Sequence, residues 1–195
     1  MTFASMCPER VRGLVLVAPA NPYSCASDGI VRFYLSSFGR TFARCVPWLP
    51  RQILRIALQR MYGDPKRIRE DVLGGYVECL QIPGTVNHIL NIISAWSGDM
   101  KLLRSAIRAG AMKGKPVLMV WGDRDIAVPV ESGWLLHERL KEARLVVLPG
   151  VGHIPVEELP EQCNRILVEW AYAQGLTEKP VRAARAVRTF STQTA

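Results

Sequence analysis

Two residues in the last third of the chain have the types and the setting for acid–base chemistry. They are Asp125, in the run Trp121-Gly122-Asp123-Arg124-Asp125, and His153, in Pro149-Gly150-Val151-Gly152-His153. A neutral imidazole titrates near working pH, so it can take a proton from a hydroxyl and return it to a leaving group. A buried carboxylate beside it would fix the ring's tautomer and stabilise the imidazolium. Asp123 is a second carboxylate close by, and each aspartate must be weighed for that role.

The elements that would position them are short. Pro116 to Trp121 (PVLMVW) is apolar without alternation, the pattern of a strand covered on both faces of a parallel sheet, and Leu145 to Leu148 is another such run. Between them Pro129 can open a helix at its first turn. Trp134, Leu135, Leu136 and Leu140 recur at helical spacing, with Lys141 and Arg144 near the end, where cations suit the helix dipole. Strand, helix and strand of this length form a βαβ unit, and a right-handed crossover places both strand ends on one edge. Asp125 and His153 are therefore expected to face each other.

At these residues the chain resembles the C-terminal part of the α/β-hydrolase superfamily. The resemblance rests on P-hyd-hyd-hyd-hyd-W-G-x-x-D-x-x-x-P from Pro116 to Pro129 and on G-x-G-H from Gly150 to His153. It implies that Asp125 is the acid and His153 the base of a catalytic triad, in the order acid then histidine after an earlier nucleophile. The offset from Pro129 favours Asp125 over Asp123. A further likeness lies at Pro8-Glu9-Arg10-Val11, which leads into Gly13 to Ala18, another run of the doubly buried kind. In the family that pattern follows the helix beginning at the nucleophile elbow. Met1 to Met6 then reads as the end of that helix, about 12 to 15 residues long, and the elbow is expected a few residues before Met1. No G-x-S-x-G, G-x-C-x-G or G-x-D-x-G occurs in the sequence. Cys25-Ala26-Ser27-Asp28-Gly29 lacks the first glycine and follows the wrong strand, so Ser27 reads as a loop or helix-cap serine.

Asn21 to about Gly110 contains no convincing strand. It reads as a helix over Ile30 to Arg44, one from Pro50, one after the Asp64-Pro65 cap, one from Val86 to Trp96 capped by Thr85, and one from Met100 to Ala109 capped by Asp99. The resemblance implies an all-helical cap inserted here over the active site. Phe38, Trp48, Met61 and Trp96 are candidates to line an apolar substrate pocket, against the plainer reading that they form the cap's own core. His88 and His137 read as structural or exposed. After His153, Glu157, Glu158, Pro160 and Glu161 lead into a last helix, with Ile166, Leu167 and Trp170 toward the sheet and Gly175 as its end.

Composition bounds the rest. The 195 residues are 49% hydrophobic, enough for a sizeable core, and carry a net charge of +8. The basic residues are spread over amphipathic helices without a nucleic-acid-binding motif, which points to a solvated basic surface and no nucleic-acid partner. The five cysteines have no C-x-x-C spacing, which fits a reducing compartment and no metal site. No apolar run reaches the roughly 18 residues of a membrane span, so a cytoplasmic protein with no membrane partner is expected.

The expected fold class is α/β: a partial α/β-hydrolase fold with about three parallel C-terminal strands, flanking helices and a helical cap. The expected divisions are 1–21 for the start of the core, 22–111 for the cap, 112–176 for the C-terminal core and 177–195 for a disordered basic tail. The resemblance implies hydrolysis of an ester-type bond in a small apolar substrate without cofactor or metal. The other reading, from a different class, is a non-catalytic binding module that retains the cap. An unpaired strand edge at Gly13 to Ala18 would favour self-association or pairing with an N-terminal half.

Overall fold

The computed structural model describes residues 1–24 and 27–178; the bulk of the expected tail lies outside the described residues. Its centre is a sheet of three parallel strands, β1 (Leu14–Val17), β2 (Val117–Gly122) and β3 (Arg144–Leu148), in the order β1-β2-β3. Leu16 lies opposite Met119, and Val120 opposite Val146. The helices are α1 (Thr2–Met6), α2 (Ser27–Leu35), α3 (Ser37–Cys45), α4 (Arg51–Gln59), α5 (Glu70–Gln81), α6 (Thr85–Arg108), α7 (Val130–Arg139), α8 (Pro155–Glu158) and α9 (Pro160–Ala173). This is the expected α/β architecture: parallel strands with flanking helices, and a run of helices between β1 and β2.

β2 is buried at every position because its side chains alternate between two covered faces. Val117 and Met119 pack with Leu16, Leu103, Ile107, Leu136 and Leu140 beneath α6 and α7, whereas Leu118 and Val120 pack with Leu148, Val151, Cys163 and Trp170 of α9. Each such aliphatic side chain contributes about 1.5–3 kcal/mol on burial, so β2 is the anchor on which both neighbouring loops depend. β1 departs from the doubly buried reading. Its Leu16 is buried, but Val15 is 41% exposed and lines an open groove with Leu167, Trp170 and Leu176.

Local chemistry explains two further departures. The helix expected over Ile30 to Arg44 is two helices, because the Ser36 hydroxyl donates to Phe33 O at 2.6 Å and accepts from Gly39 N at 3.0 Å. A Cβ on Gly39 would lie 2.0 Å from Phe33 O, so the glycine permits the tight return. Conversely, the two helices expected on either side of Asp99 are one, α6, starting after Gly84 at φ 89°. Asp99 is exposed in its interior, and burial of Leu90, Leu103 and Ile107 outweighs the roughly 1 kcal/mol that Gly98 costs there. On α7 the inward positions are Val130, Gly133 and Leu136, while Trp134 and Leu135 are exposed; likewise on α9 Leu167 is 38% exposed beside buried Trp170.

Candidate active site

Both chemical residues sit in loops at the C-terminal ends of adjacent strands. The Trp121 side chain, fully buried at the end of β2, donates its Nε1–H to Val128 O at 2.8 Å and so closes the turn that follows. A Cβ on Gly133 would meet the Trp121 ring at 2.9 Å, so this glycine lets α7 approach the indole. Within the closed turn Asp125 Oδ1 accepts from Ala127 N at 2.9 Å and Val128 N at 2.8 Å. These bonds leave Oδ2 aimed outward, and it meets His153 Nδ1 at 2.9 Å. The Asp125 side chain is fully buried, whereas that of His153 is 30% exposed.

Neighbouring backbone holds the histidine loop against β2. Asp123 N donates to Leu148 O at 3.1 Å, and Arg124 N to Val151 O at 2.9 Å. The exposed Asp123 carboxylate accepts from Gly150 N at 2.7 Å, so of the two aspartates it serves the turn and Asp125 serves the imidazole. Gly150 takes φ 69°, in the left-handed region that glycine occupies without strain.

This geometry has a definite chemical capacity. With Nδ1–H donated to the carboxylate, Nε2 carries the lone pair and is the atom able to accept a proton. Among the described residues nothing forms a hydrogen bond to Nε2. The Asp125 carboxylate is buried, held at Oδ1 by two backbone amides and bonded at Oδ2 to the imidazole.

The other residues singled out from the sequence are scattered. Met61 is adjacent, its carbonyl accepting from His153 N at 2.7 Å. Phe38 is 73% exposed and packs edge-to-face on Phe33, Trp48 is 86% exposed beside Arg44 and Val86, and Trp96 is half-buried on α6. Ser27 is the first residue of α2. His88 is exposed, and the His137 ring nitrogen Nε2 pairs with Ala143 O at 2.9 Å. Among the described residues no group of three His, Cys, Asp or Glu could hold a metal ion, and no helix is long and apolar enough to cross a membrane.

Three residues near the pair escaped the sequence reading. Asn21, 1% exposed, bridges the exit of β1 to the start of α7 through Pro19 O and Ser132 Oγ, both at 3.1 Å. Glu157 accepts from Tyr62 Oη at 2.6 Å and Tyr76 Oη at 2.9 Å. Burial and the adjoining Glu157 carboxylate raise both phenols above the usual tyrosine value, Tyr76 to about 12. Glu158 has a fully buried side chain among backbone amides. An acidic pair at the start of a helix reads as dipole complementarity, and no periodicity distinguishes one that turns inward.

Comparison with known proteins gives the geometry its context. The chain is 26% identical over 165 residues to a pimeloyl-[acyl-carrier protein] methyl ester esterase of Nitrosomonas europaea, covering 82% of this chain and 61% of that protein. It is 25% identical over 171 residues to a 2-hydroxy-6-oxo-6-phenylhexa-2,4-dienoate hydrolase of Comamonas testosteroni, covering 87% of this chain and 57% of that one. The chain thus spans about three-fifths of these relatives' length. Among solved structures, a 2-hydroxy-6-oxo-6-phenylhexa-2,4-dienoate hydrolase of Rhodococcus sp. strain RHA1 superimposes with a TM-score of 0.61 at 22% identity, over 87% of this chain and 58% of that one, a likeness of fold. The family model for the alpha/beta hydrolase fold matches residues 1–160, which takes in all three strands and both loops that carry Asp125 and His153; the chain belongs to the α/β-hydrolase family.

Proposed function

We propose that the chain carries the acid and the base of a serine-type hydrolase acting on an ester-type bond of a small apolar substrate. The observation that carries this reading is the 2.9 Å contact between His153 Nδ1 and Asp125 Oδ2 at the ends of adjacent parallel strands. His153 Nε2 takes the proton of a nucleophilic hydroxyl, whose oxygen attacks the acyl carbon. The imidazolium, held by Asp125, then protonates the departing alkoxide, leaving an acyl-enzyme. Water repeats the sequence: His153 takes its proton, the hydroxide attacks, and the serine leaves with that proton.

The hydroxyl in this scheme comes from outside these 195 residues, on a segment that would pair with β1. The relatives' greater length and the open β1 face support that arrangement. The helical segment between β1 and β2 acts as the cap, with Met61 at the edge of the acyl site and Phe38, Trp48 and Trp96 as further candidates to meet substrate. The methyl ester esterase and the 2-hydroxy-6-oxo-6-phenylhexa-2,4-dienoate hydrolase among the relatives both support hydrolysis, and the bond type follows the former.

Magnitudes set the expectation for the chain by itself. Loss of the nucleophile costs about six orders of magnitude in turnover in a comparable triad enzyme, roughly 8 kcal/mol of barrier. The test is to read the DNA upstream of Met1 in frame for G-x-S-x-G and assay the extended protein on p-nitrophenyl butyrate. Turnover by the extended protein and none by residues 1–195 is the expected result. An upstream frame with no nucleophile, and no turnover by either chain, would favour the non-catalytic binding module.

A further inference from the structure

Glu158 is a buried carboxylate that proton transfer at His153 leaves unused. All its partners are donors: Gly63 N at 3.0 Å to Oε1 and 3.1 Å to Oε2, Asp64 N at 3.3 Å, Gly152 N at 2.5 Å, and Arg67 Nη1 at 3.3 Å. Gly63 and Asp64 follow α4 in the helical segment, and Gly152 immediately precedes His153. One side chain therefore joins two loops far apart in sequence.

The backbones of these loops are in direct contact. His153 N donates to Met61 O at 2.7 Å, and Arg67 Nη1 also reaches Gly150 O at 3.3 Å. A Cβ on Gly152 would lie 2.3 Å from Met61 O, and one on Gly63 would lie 2.5 Å from Gly150 O. Glycine at both positions is what lets the loops close on each other.

A charge with no solvent exposure is costly unless its attractions and hydrogen bonds offset desolvation. Here they converge on both oxygens, leaving no place for a donor. Glutamine has the same shape, but whichever way its amide turns, the NH2 group meets donors it cannot bond. Packing alone would tolerate that replacement; holding the loops together would not.

We propose that Glu158 is a positioning residue: its carboxylate clasps the 61–64 loop to the 150–153 loop and so fixes the backbone from which His153 reaches Asp125. This rests on the reading of His153 as the base, but its test needs no turnover. The clasp also makes the seating of the helical segment a condition for presenting the imidazole, so the two move as one unit.

The test compares Glu158→Gln with the unmodified chain by NMR, reading amide hydrogen exchange and the imidazole 15N shifts of His153. In Glu158→Gln the amides of Gly63, Gly152 and His153 are expected to exchange about 10- to 100-fold faster, the range given by one lost bond to a charged group, while β2 amides keep their rates. The His153 shifts are expected to move from the Nδ1–H tautomer toward the Nε2–H form. Faster exchange with the tautomer unmoved would leave Glu158 only structural and overturn the proposal, as would any result in which exchange is unchanged. Should Glu158→Gln fail to fold, the unmodified chain decides. Its Gly63, Gly152 and His153 amides must open together with one free energy across low denaturant concentrations, and independent opening overturns the clasp.

Discussion

A Cβ on Gly122 would lie 2.2 Å from the Gly152 carbonyl oxygen, so the end of β2 and the loop before His153 touch through backbone alone. That contact sets the distance between the strand that leads to Asp125 and the loop that carries His153. Gly122→Ala is expected to destabilise the chain by about 1–3 kcal/mol, since backbone atoms on both sides must shift. Gly98→Ala, at an exposed position inside α6 with nothing within 4 Å of the added carbon, is expected to stabilise by about 0.5–1 kcal/mol. Urea unfolding of the two variants against the parent checks the opposite signs.

Trp121 works as a strut for the aspartate turn. Its replacement by Phe removes the donor to Val128 O and leaves a void beside Gly133. A loss of about 2–4 kcal/mol is expected, combining an unpaired buried carbonyl with a small cavity. Denaturant unfolding followed by far-UV circular dichroism measures it. A loss below 1 kcal/mol would mean that the turn stands without the indole.

The positions of Asp125 and His153 were legible in the sequence for a physical reason. Strands covered on both faces leave long apolar runs, and a crossover of fixed hand puts their ends together. The parallel order and the helix after Pro129 followed from such runs, whereas the preference for Asp125 over Asp123 rested on the resemblance, through the motif's offset from Pro129. What was not legible depends on contacts between distant segments. Glu158 and Asn21 are polar residues whose burial is decided by loops elsewhere, and the exposure of Val15 reflects what lies beside β1 rather than β1 itself. Helix boundaries at Ser36 and Asp99 misled for a local reason: a serine that bonds in both directions ends a helix, whereas an outward-facing aspartate inside one does not.

Tyr62 and Tyr76 give the fold a testable alkaline limit. Both phenols are raised above the ordinary value of 10.0, first by burial and then by Glu157, Tyr76 to about 12. A group neutral when protonated and raised in the folded state contributes stability that is fully present below its unfolded value and lost as pH rises through its folded one. Stability is thus expected to fall from about pH 10 to 12 and beyond, and to fall less over that range in the Tyr62→Phe/Tyr76→Phe double variant. Denaturant midpoints across that range, with tyrosinate absorbance read in parallel, check it; identical profiles for parent and double variant would contradict it.

The open face of β1 bears on association. With Val15 41% exposed beside Leu167 and Trp170, the chain is expected to sediment as species larger than its 21.8 kDa monomer, and Val15→Lys to reduce them. Sedimentation velocity reads this directly. A single monomer for both proteins would mean that the groove is covered in solution.

The assignment of acid and base is tested most directly by kcat on p-nitrophenyl butyrate for the upstream-extended protein in three variants. His153→Ala is expected to lower kcat about 10⁶-fold and Asp125→Asn about 10⁴-fold. Asp123→Asn, which keeps an oxygen to accept from Gly150 N, is expected to stay within about tenfold of the parent, each tenfold being 1.36 kcal/mol of barrier. Turnover that survives His153→Ala, or that falls as far in Asp123→Asn as in Asp125→Asn, would contradict the account.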